Sequence, residues 1–385
     1  MKSQEHLFSL RKEIHYLNCA YKAPLLKSAE AAAIKALIKE RNPSDISPMD
    51  FFTCVDEVRQ RFAEIVNCDP SQAVVIPSTS YGLSSVLNNI AGKTGQHVVT
   101  VENEFPSDYF SIKKWCDNNN AELKIITFKK DLEFNGEYLN HEIIHNINEK
   151  TAVVILSSVH WMNGLRFDLE KIGERCKSAG AKFVVDGTQS VGAMHIDVKK
   201  FHIDALICAG YKWLLGPYSL GLAYMSSQFN QGVPLEESWM NRVNSHKFGN
   251  LTEYEMEYTP GAGRYNVGET SNFILMPMLN EALKQINNWS VPEIESYCKD
   301  LIQPLITYLK TLGIQFENEK YFSNHLFALK FPPGINIYTL KENLDKANVY
   351  VSFRGHHLRL SVNVFNTKSD IEKLIEVIEK TKELK

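Results

Sequence analysis

The chain has 385 residues, more than one ordinary domain holds, and its 44% hydrophobic and 23% charged residues are the balance of a globular protein. A net charge of −3 offers no general attraction to nucleic acid or to anionic membranes. No stretch approaches the roughly 20 apolar residues of a membrane helix, and seven scattered cysteines, an odd number, argue against a disulfide framework.

The opening MKSQEHLFSLRKEIHYL lacks the apolar core of a signal peptide, so a reducing, cytoplasmic setting is expected. Residues 1–20 read as an arm that reaches the site or the smaller domain. Further on, Val55, Val58, Phe62, Ile65 and Val66 recur at helical spacing. Short apolar runs follow at 73–76, 97–101, 123–128, 152–158, 182–186, 205–209 and 221–225. Several are unbroken Val/Ile/Leu rather than alternating, which marks strands buried on both faces. Helix-like segments separate most of them, as in DLEKIGERCKSAG from Asp168. Repeated strand–helix–strand order predicts an α/β fold with a mostly parallel sheet wrapped by helices. This large domain is taken as residues 21–285.

Beyond it, 286–385 reads as a smaller α+β domain. A helix over 293–312 leads to a strand at 325–331, a helix around 337–347, and the strands VYVSF and LRLSV. A final helix puts Ile371, Leu374, Ile375 and Ile378 on one face, with Thr367 and Asp370 as a capping box.

In open α/β sheets, ligands bind beyond the carboxyl ends of the strands. Five polar or aromatic clusters fall there: PSTSYG (77–82), NEFPSD (103–108), HWMNG (160–164), Asp186 at the end of VVD, and GYK (210–212). Ser78, Thr79 and Ser80 open a helix, where hydroxyls and free N–H groups either cap it or bind phosphate. Lys212 lies in the apolar AGYKWLLGP. Burial lowers a lysine's pKa and makes its amine fit for a Schiff base, although a lysine is more often a solvated surface group. Asp186 either caps the following turn or keeps a pyridine nitrogen protonated. Phosphate cradle, Schiff-base lysine and pyridinium acid together describe pyridoxal 5′-phosphate.

The stretch VVDGTQSVGAMHID…DALICAGYKWLLGPYSLGLAYM resembles the signature of the class V aminotransferase family, among the fold-type-I pyridoxal-phosphate enzymes. The similarity runs from YLNCAYKAPL to LRLSVNVFNTKSDIEKL. It implies that Lys212 holds the cofactor and later moves a proton, that Asp186 pairs with the ring nitrogen, and that Gln189 reaches the phenolic oxygen. Thr79, Ser80 and Tyr211 would bind the phosphate, Phe105 would stack on the ring, and Arg359 would clamp the substrate α-carboxylate. For Phe105 ordinary packing, and for Arg359 a surface ion pair, are the plain alternatives. The loop GRYNVGET (263–270) resembles one that reaches a partner's cofactor, which implies a homodimer with shared sites. Three positions depart from the family pattern. Trp161 stands where an asparagine is common, with His160 a substitute for that contact; Ala209 replaces a phosphate-binding serine, and Glu269 a phosphate-binding threonine.

The resemblance leaves the reaction open. Aminotransferase or carbon–sulfur lyase chemistry on a small amino acid is favoured, with epimerase or kynureninase-like hydrolase as alternatives and ligand binding without turnover as a third class. Cysteine desulfurases need a thiol to receive sulfur, and one group of them places it just after Gly-His-His; here Leu358 follows His356 and His357, and no cysteine lies beyond Cys298, so desulfuration through an enzyme persulfide is disfavoured. One motif points elsewhere. HEIIH (141–145) matches H-E-x-x-H of zinc peptidases. On a helix, Leu139, Ile143, Ile144 and Ile147 share the apolar face, so His141 and His145 turn to solvent, with Glu142 between them; Glu170 is only a distant third ligand and sits within its own helix pattern. A zinc metallopeptidase stays a remote alternative, and no metal is expected. His356 and His357, adjacent in a strand, point to opposite faces and cannot readily share an ion.

Overall fold

Why the strand runs are apolar on both faces is visible in how they alternate. In the computed structural model, which describes residues 1–383 apart from Pro333 and His356, the chain starts with β1 (His15–Tyr16), α1 (Lys27–Glu40) and α2 (Thr53–Val66). The main sheet is built from β2 (Ala73–Ile76), β3 (His97–Val101), β4 (Glu122–Ile126), β5 (Thr151–Ser157), β6 (Lys182–Asp186), β7 (Ala205–Ala209) and β8 (Gly221–Met225). Between them lie α3 (Thr79–Leu87), α4 (Pro106–Asn119), α5 (Gly136–Asn146) and α6 (Leu169–Ala179). Strand order is β2-β8-β7-β6-β5-β3-β4. β8 is antiparallel to both its neighbours and the remaining adjacent pairs are parallel.

Val74, Ile76, Val98, Val153, Ile155, Val184 and Ile207 pack with α3 and α4 on one face. Val75, Val99, Val154, Leu156, Val185 and Leu206 pack with α2, α5, α6 and α7 (Leu275–Trp289) on the other. The two-residue period of a strand thus feeds two cores, and both need apolar side chains.

After α7 come α8 (Val291–Thr311), β9 (Leu326–Leu329), α9 (Ile337–Lys346), β10 (Val349–Tyr350), β11 (Ser352–Arg354), β12 (His357–Ser361) and α10 (Lys368–Glu383). The run VYVSF, expected as one strand, divides at Val351. β10 pairs in parallel with β1, and β11 pairs antiparallel with β12. The physical reason is that two different partners compete for its ladder. The N-terminal arm takes one half and β12, which also pairs with β9, takes the other. Of the capping box at α10, the carboxylate half forms: the Thr367 N–H donates to Asp370 Oδ2 at 2.8 Å. Asp370 Oδ1 also meets His15 Nδ1 at 2.8 Å, so the helix cap anchors the arm. No helix among the described residues is long and apolar enough to cross a membrane.

Candidate active site

The parallel strands carry their carboxyl ends to one rim, where β6 ends in Asp186 and β5 in Ser157, paired in register with it. Asp186 is buried, and its Oδ1 accepts the Thr188 N–H at 2.8 Å. Thr188 then ties the rim together. Its hydroxyl accepts the Ala209 N–H at 3.2 Å and lies 3.4 Å from the Thr79 hydroxyl. The turn that follows needs Gly192 (φ +97°), because a Cβ there would stand 2.5 Å from the Trp213 carbonyl oxygen. That close approach seats the Lys212–Trp213 segment against the acid-bearing turn.

Lys212 is buried, with its ammonium 5.8 Å from the Phe105 ring centre and 5.6 Å from that of Tyr211. It has no hydrogen-bond or ion-pair partner among the described residues. Burial pulls its pKa down to about 8, while Asp186 opposes the shift and Arg359 adds to it. The amine is therefore available as a nucleophile near neutrality.

At the start of α3, Ser78 is the cap residue, and its hydroxyl accepts the Tyr81 N–H at 3.2 Å. The backbone N–H groups of Thr79 and Ser80 make no hydrogen bond among the described residues. A capped helix start with two donors left over satisfies both readings of this motif at once. Tyr211 lies against Tyr218, ring centres 4.7 Å apart. Gln189 is less free. Its Oε1 accepts from Trp213 Nε1 at 2.9 Å and its Nε2 donates to the Ala20 carbonyl at 3.2 Å, which leaves one amide hydrogen to offer.

Phe105 and Trp161 meet edge to face at 5.5 Å. Trp161 Nε1 donates to the Asn103 carbonyl at 2.8 Å, and its own carbonyl accepts Arg359 Nη1 at 2.7 Å. Arg359 is buried on β12, and burial together with Arg354 brings its pKa down to about 10. His160 sits on the other side of this loop. It is buried, its Nε2 faces the Glu102 carbonyl at 3.2 Å, and its ring packs on Phe128. Burial lowers its pKa to about 4, so the ring is neutral, with the proton on the nitrogen that faces the carbonyl. None of these contacts is with Lys212, Asp186 or Gln189, while Trp161 joins the Lys212 cluster through Phe105. Glu269 is exposed at φ +54°, in the loop that Glu236 holds through the Gly268 N–H.

Two further carboxyls belong to this cluster. Glu104 is buried and accepts from both the N–H and the hydroxyl of Ser157; burial raises its pKa to about 7. Asp108, in the first turn of α4, is buried beside Asp186, and neither of its oxygens meets a donor. Burial first, and Asp186 next, raise its pKa well above the carboxylate range. Asp108 therefore keeps its proton where an ordinary carboxyl has lost it. An acid at the third position of a helix reads as ordinary dipole complementation, so the only sequence signal was its place in NEFPSD at the rim.

The zinc motif lies apart. His141 and His145 stack on the exposed face of α5, 6.1 Å apart. Glu170 faces Lys200 at 3.0 Å, and no group of three metal-ligating side chains occurs among the described residues. His357 opens β12 on the exposed side; His356 lies outside the described residues.

A buried unpaired lysine, a buried carboxylate on the same rim and two free helix-start donors are a donor set that fits pyridoxal 5′-phosphate. A sheet in this order with the site at its carboxyl rim defines a fold-type-I pyridoxal-phosphate enzyme. Residues 46–374 match the family model described as aminotransferase class-V, and the chain belongs to that family. An uncharacterized aminotransferase, YcbU, of Bacillus subtilis (strain 168) is 24% identical over 322 residues, covering 83% of this chain and 82% of that one. A solved cysteine desulfurase of Thermococcus onnurineus NA1 superposes with a TM-score of 0.82 at 20% identity, over 100% of this chain and 99% of the other. The cystine C–S lyase C-DES, solved with its product cysteine persulfide, gives a TM-score of 0.83 at 17% identity, over 95% and 97%. The chain is a pyridoxal-phosphate-dependent enzyme of the aminotransferase or carbon–sulfur lyase type.

Proposed function

We propose that Lys212 is the residue that holds the cofactor covalently and that the enzyme acts at Cα of a small amino acid. The observation that carries this is the buried ammonium, without a partner, on the same rim as Asp186. Bound there, the cofactor supplies an electron sink for a bond broken at the substrate Cα. Asp186 holds a proton on the ring nitrogen, and Asp108, protonated itself, steadies that charge. The Thr79 and Ser80 N–H groups and the Tyr211 hydroxyl bind the phosphate, Phe105 covers the ring, and Gln189 offers its remaining amide hydrogen to the phenolic oxygen. Arg359 takes the α-carboxylate. Once free, the Lys212 amine moves the proton at Cα, a task for which a pKa near the working pH is suited.

The protein works as a homodimer in this reading, with the 263–270 loop serving the partner's site. Burial raises all seven thiols above their ordinary value, which removes the thiolate that would accept sulfur. Any carbon–sulfur cleavage then releases its sulfur in the product rather than onto the enzyme. Unpaired cysteines also suit a reducing, cytoplasmic compartment.

The test is borohydride reduction of the holoenzyme followed by mass measurement. Wild type is expected to gain a cofactor adduct on Lys212, and Lys212→Ala none. An adduct elsewhere, or a protein that takes up no cofactor and stays colourless, would overturn the reading.

A further inference from the structure

Arg354 stands close enough to Arg359 to disfavour the charge on it, and neither has a carboxylate partner among the described residues. Arg359 uses Nη1 on the Trp161 carbonyl and Nη2 on the Ser352 hydroxyl; its Nε is buried with no acceptor. Arg354 donates from Nη1 to its neighbour's carbonyl, that of Phe353, at 2.9 Å. Its guanidinium carbon lies 5.6 Å over the Trp161 ring, and its Nε is likewise buried without an acceptor. The two guanidiniums therefore grip one residue, Trp161, one at its ring and one at its carbonyl. Trp161 in turn meets Phe105, which lies beside Lys212. Each step of that path is under 6 Å.

Arginines sequestered from water are normally matched by acids, since an unmatched buried cation is unfavourable. Arg359 is buried and Arg354, beside it, is half-buried; together they form an anion site with more positive charge than a single α-carboxylate neutralises. We propose that the substrate is an amino acid with a side-chain carboxylate, its α-carboxylate on Arg359 and its second carboxylate on Arg354. The indole face of Trp161 is the apolar surface along which the intervening methylene groups lie. Guanidinium suits the task because it binds carboxylates in a fixed, two-pronged geometry. This inference rests on the reading of Lys212 as the cofactor lysine.

The experiment uses the holoenzyme and follows its visible absorbance while L-aspartate, L-glutamate, L-asparagine, L-glutamine and L-alanine are added in turn. One acid is expected to half-saturate the change at a concentration about 10- to 100-fold below its amide, the scale of a charged hydrogen bond. Which acid responds gives the distance between the two carboxylate positions. Arg354→Gln should bring the acid-to-amide ratio close to one, whereas Arg354→Lys, which keeps the charge, should retain part of it and guards against a folding artefact. Equal responses to acid and amide in the wild type overturn the proposal, as does a preference that survives Arg354→Gln. A change in oligomeric state without a change in preference also overturns it and places Arg354 at an interface. Absence of any amino-acid response, together with no adduct on Lys212, would instead sink the underlying assignment.

Discussion

Asp108 rests its carboxyl against that of Asp186, and it is Asp108 that keeps the proton. Burial raises the pKa of Asp108, and the charge on Asp186 raises it further. A neutral Asp108 adds no second negative charge beside Asp186 on the rim that also carries Lys212.

Asp108→Asn should therefore be mild, because the amide is neutral like the protonated acid it replaces. Its affinity for pyridoxal phosphate is expected within about threefold of wild type, whereas Asp108→Ala should lose about 1–3 kcal/mol of cofactor binding by removing the polar neighbour of the buried Asp186. Titration of apo-protein with cofactor measures both. Clear thermal stabilisation by Asp108→Asn at neutral pH would mean that the native residue is ionised after all.

The lowered pKa of Lys212 makes a pH prediction whose sign is set by its cause. Burial disfavours the ammonium, so the neutral amine is present from about pH 8 upward. Cofactor capture by apo-protein, followed by growth of visible absorbance, should accelerate through that range and then level off. Asp186 is the opposing influence, so Asp186→Asn should move the midpoint lower. A midpoint near 10.5 would show an amine in contact with water.

Gly164 tests the loop that carries Trp161. At φ +77°, an added Cβ would lie 2.0 Å from the Leu326 carbonyl oxygen, so backbone must move. Gly164→Ala is expected to destabilise the fold by about 2–4 kcal/mol and to weaken amino-acid binding, since the Trp161 carbonyl holds Arg359. Gly313, also at φ +77° but with nothing within 4 Å, is the control; its alanine variant should lose about 1 kcal/mol. Equal losses in the two melting curves would assign the effect to φ alone.

Arg359→Ala separates substrate from cofactor. Amino-acid half-saturation should rise by about 100-fold, because a charged two-pronged contact is lost, with cofactor affinity little changed. Parallel loss of both in the same titrations would make Arg359 a structural residue.

The large sheet was legible because doubly buried strands leave unbroken Val/Ile/Leu runs; the run read as 182–186 is the strand Lys182–Asp186. Asp186 and Lys212 were legible for a related reason, as polar residues set at the ends of such runs. Contacts between distant segments were not. Nothing local says that Asp108 faces Asp186, or that His160 turns inward while Trp161 meets Phe105. Arg354 carries no local signal either, since its place over the Trp161 ring joins segments far apart in the chain. The division of VYVSF at Val351 depended on β1, a two-residue strand too short to leave a periodic signal. For Gln189, the bond to Trp213 needed the turn at Gly192.

The pairing of β1 with β10 also bears on how the molecule is made. The Gln4 N–H donates to the Val364 carbonyl, the Ala20 N–H to the Ser361 hydroxyl, and His15 waits for Asp370. Residues 4–20 therefore have their partners at 348–370, and the large sheet between them in sequence can form before the two meet. Ala20 and Asn18 reach Gln189 and Ser352 only when that docking is complete, so the pocket is finished after the large sheet rather than with it.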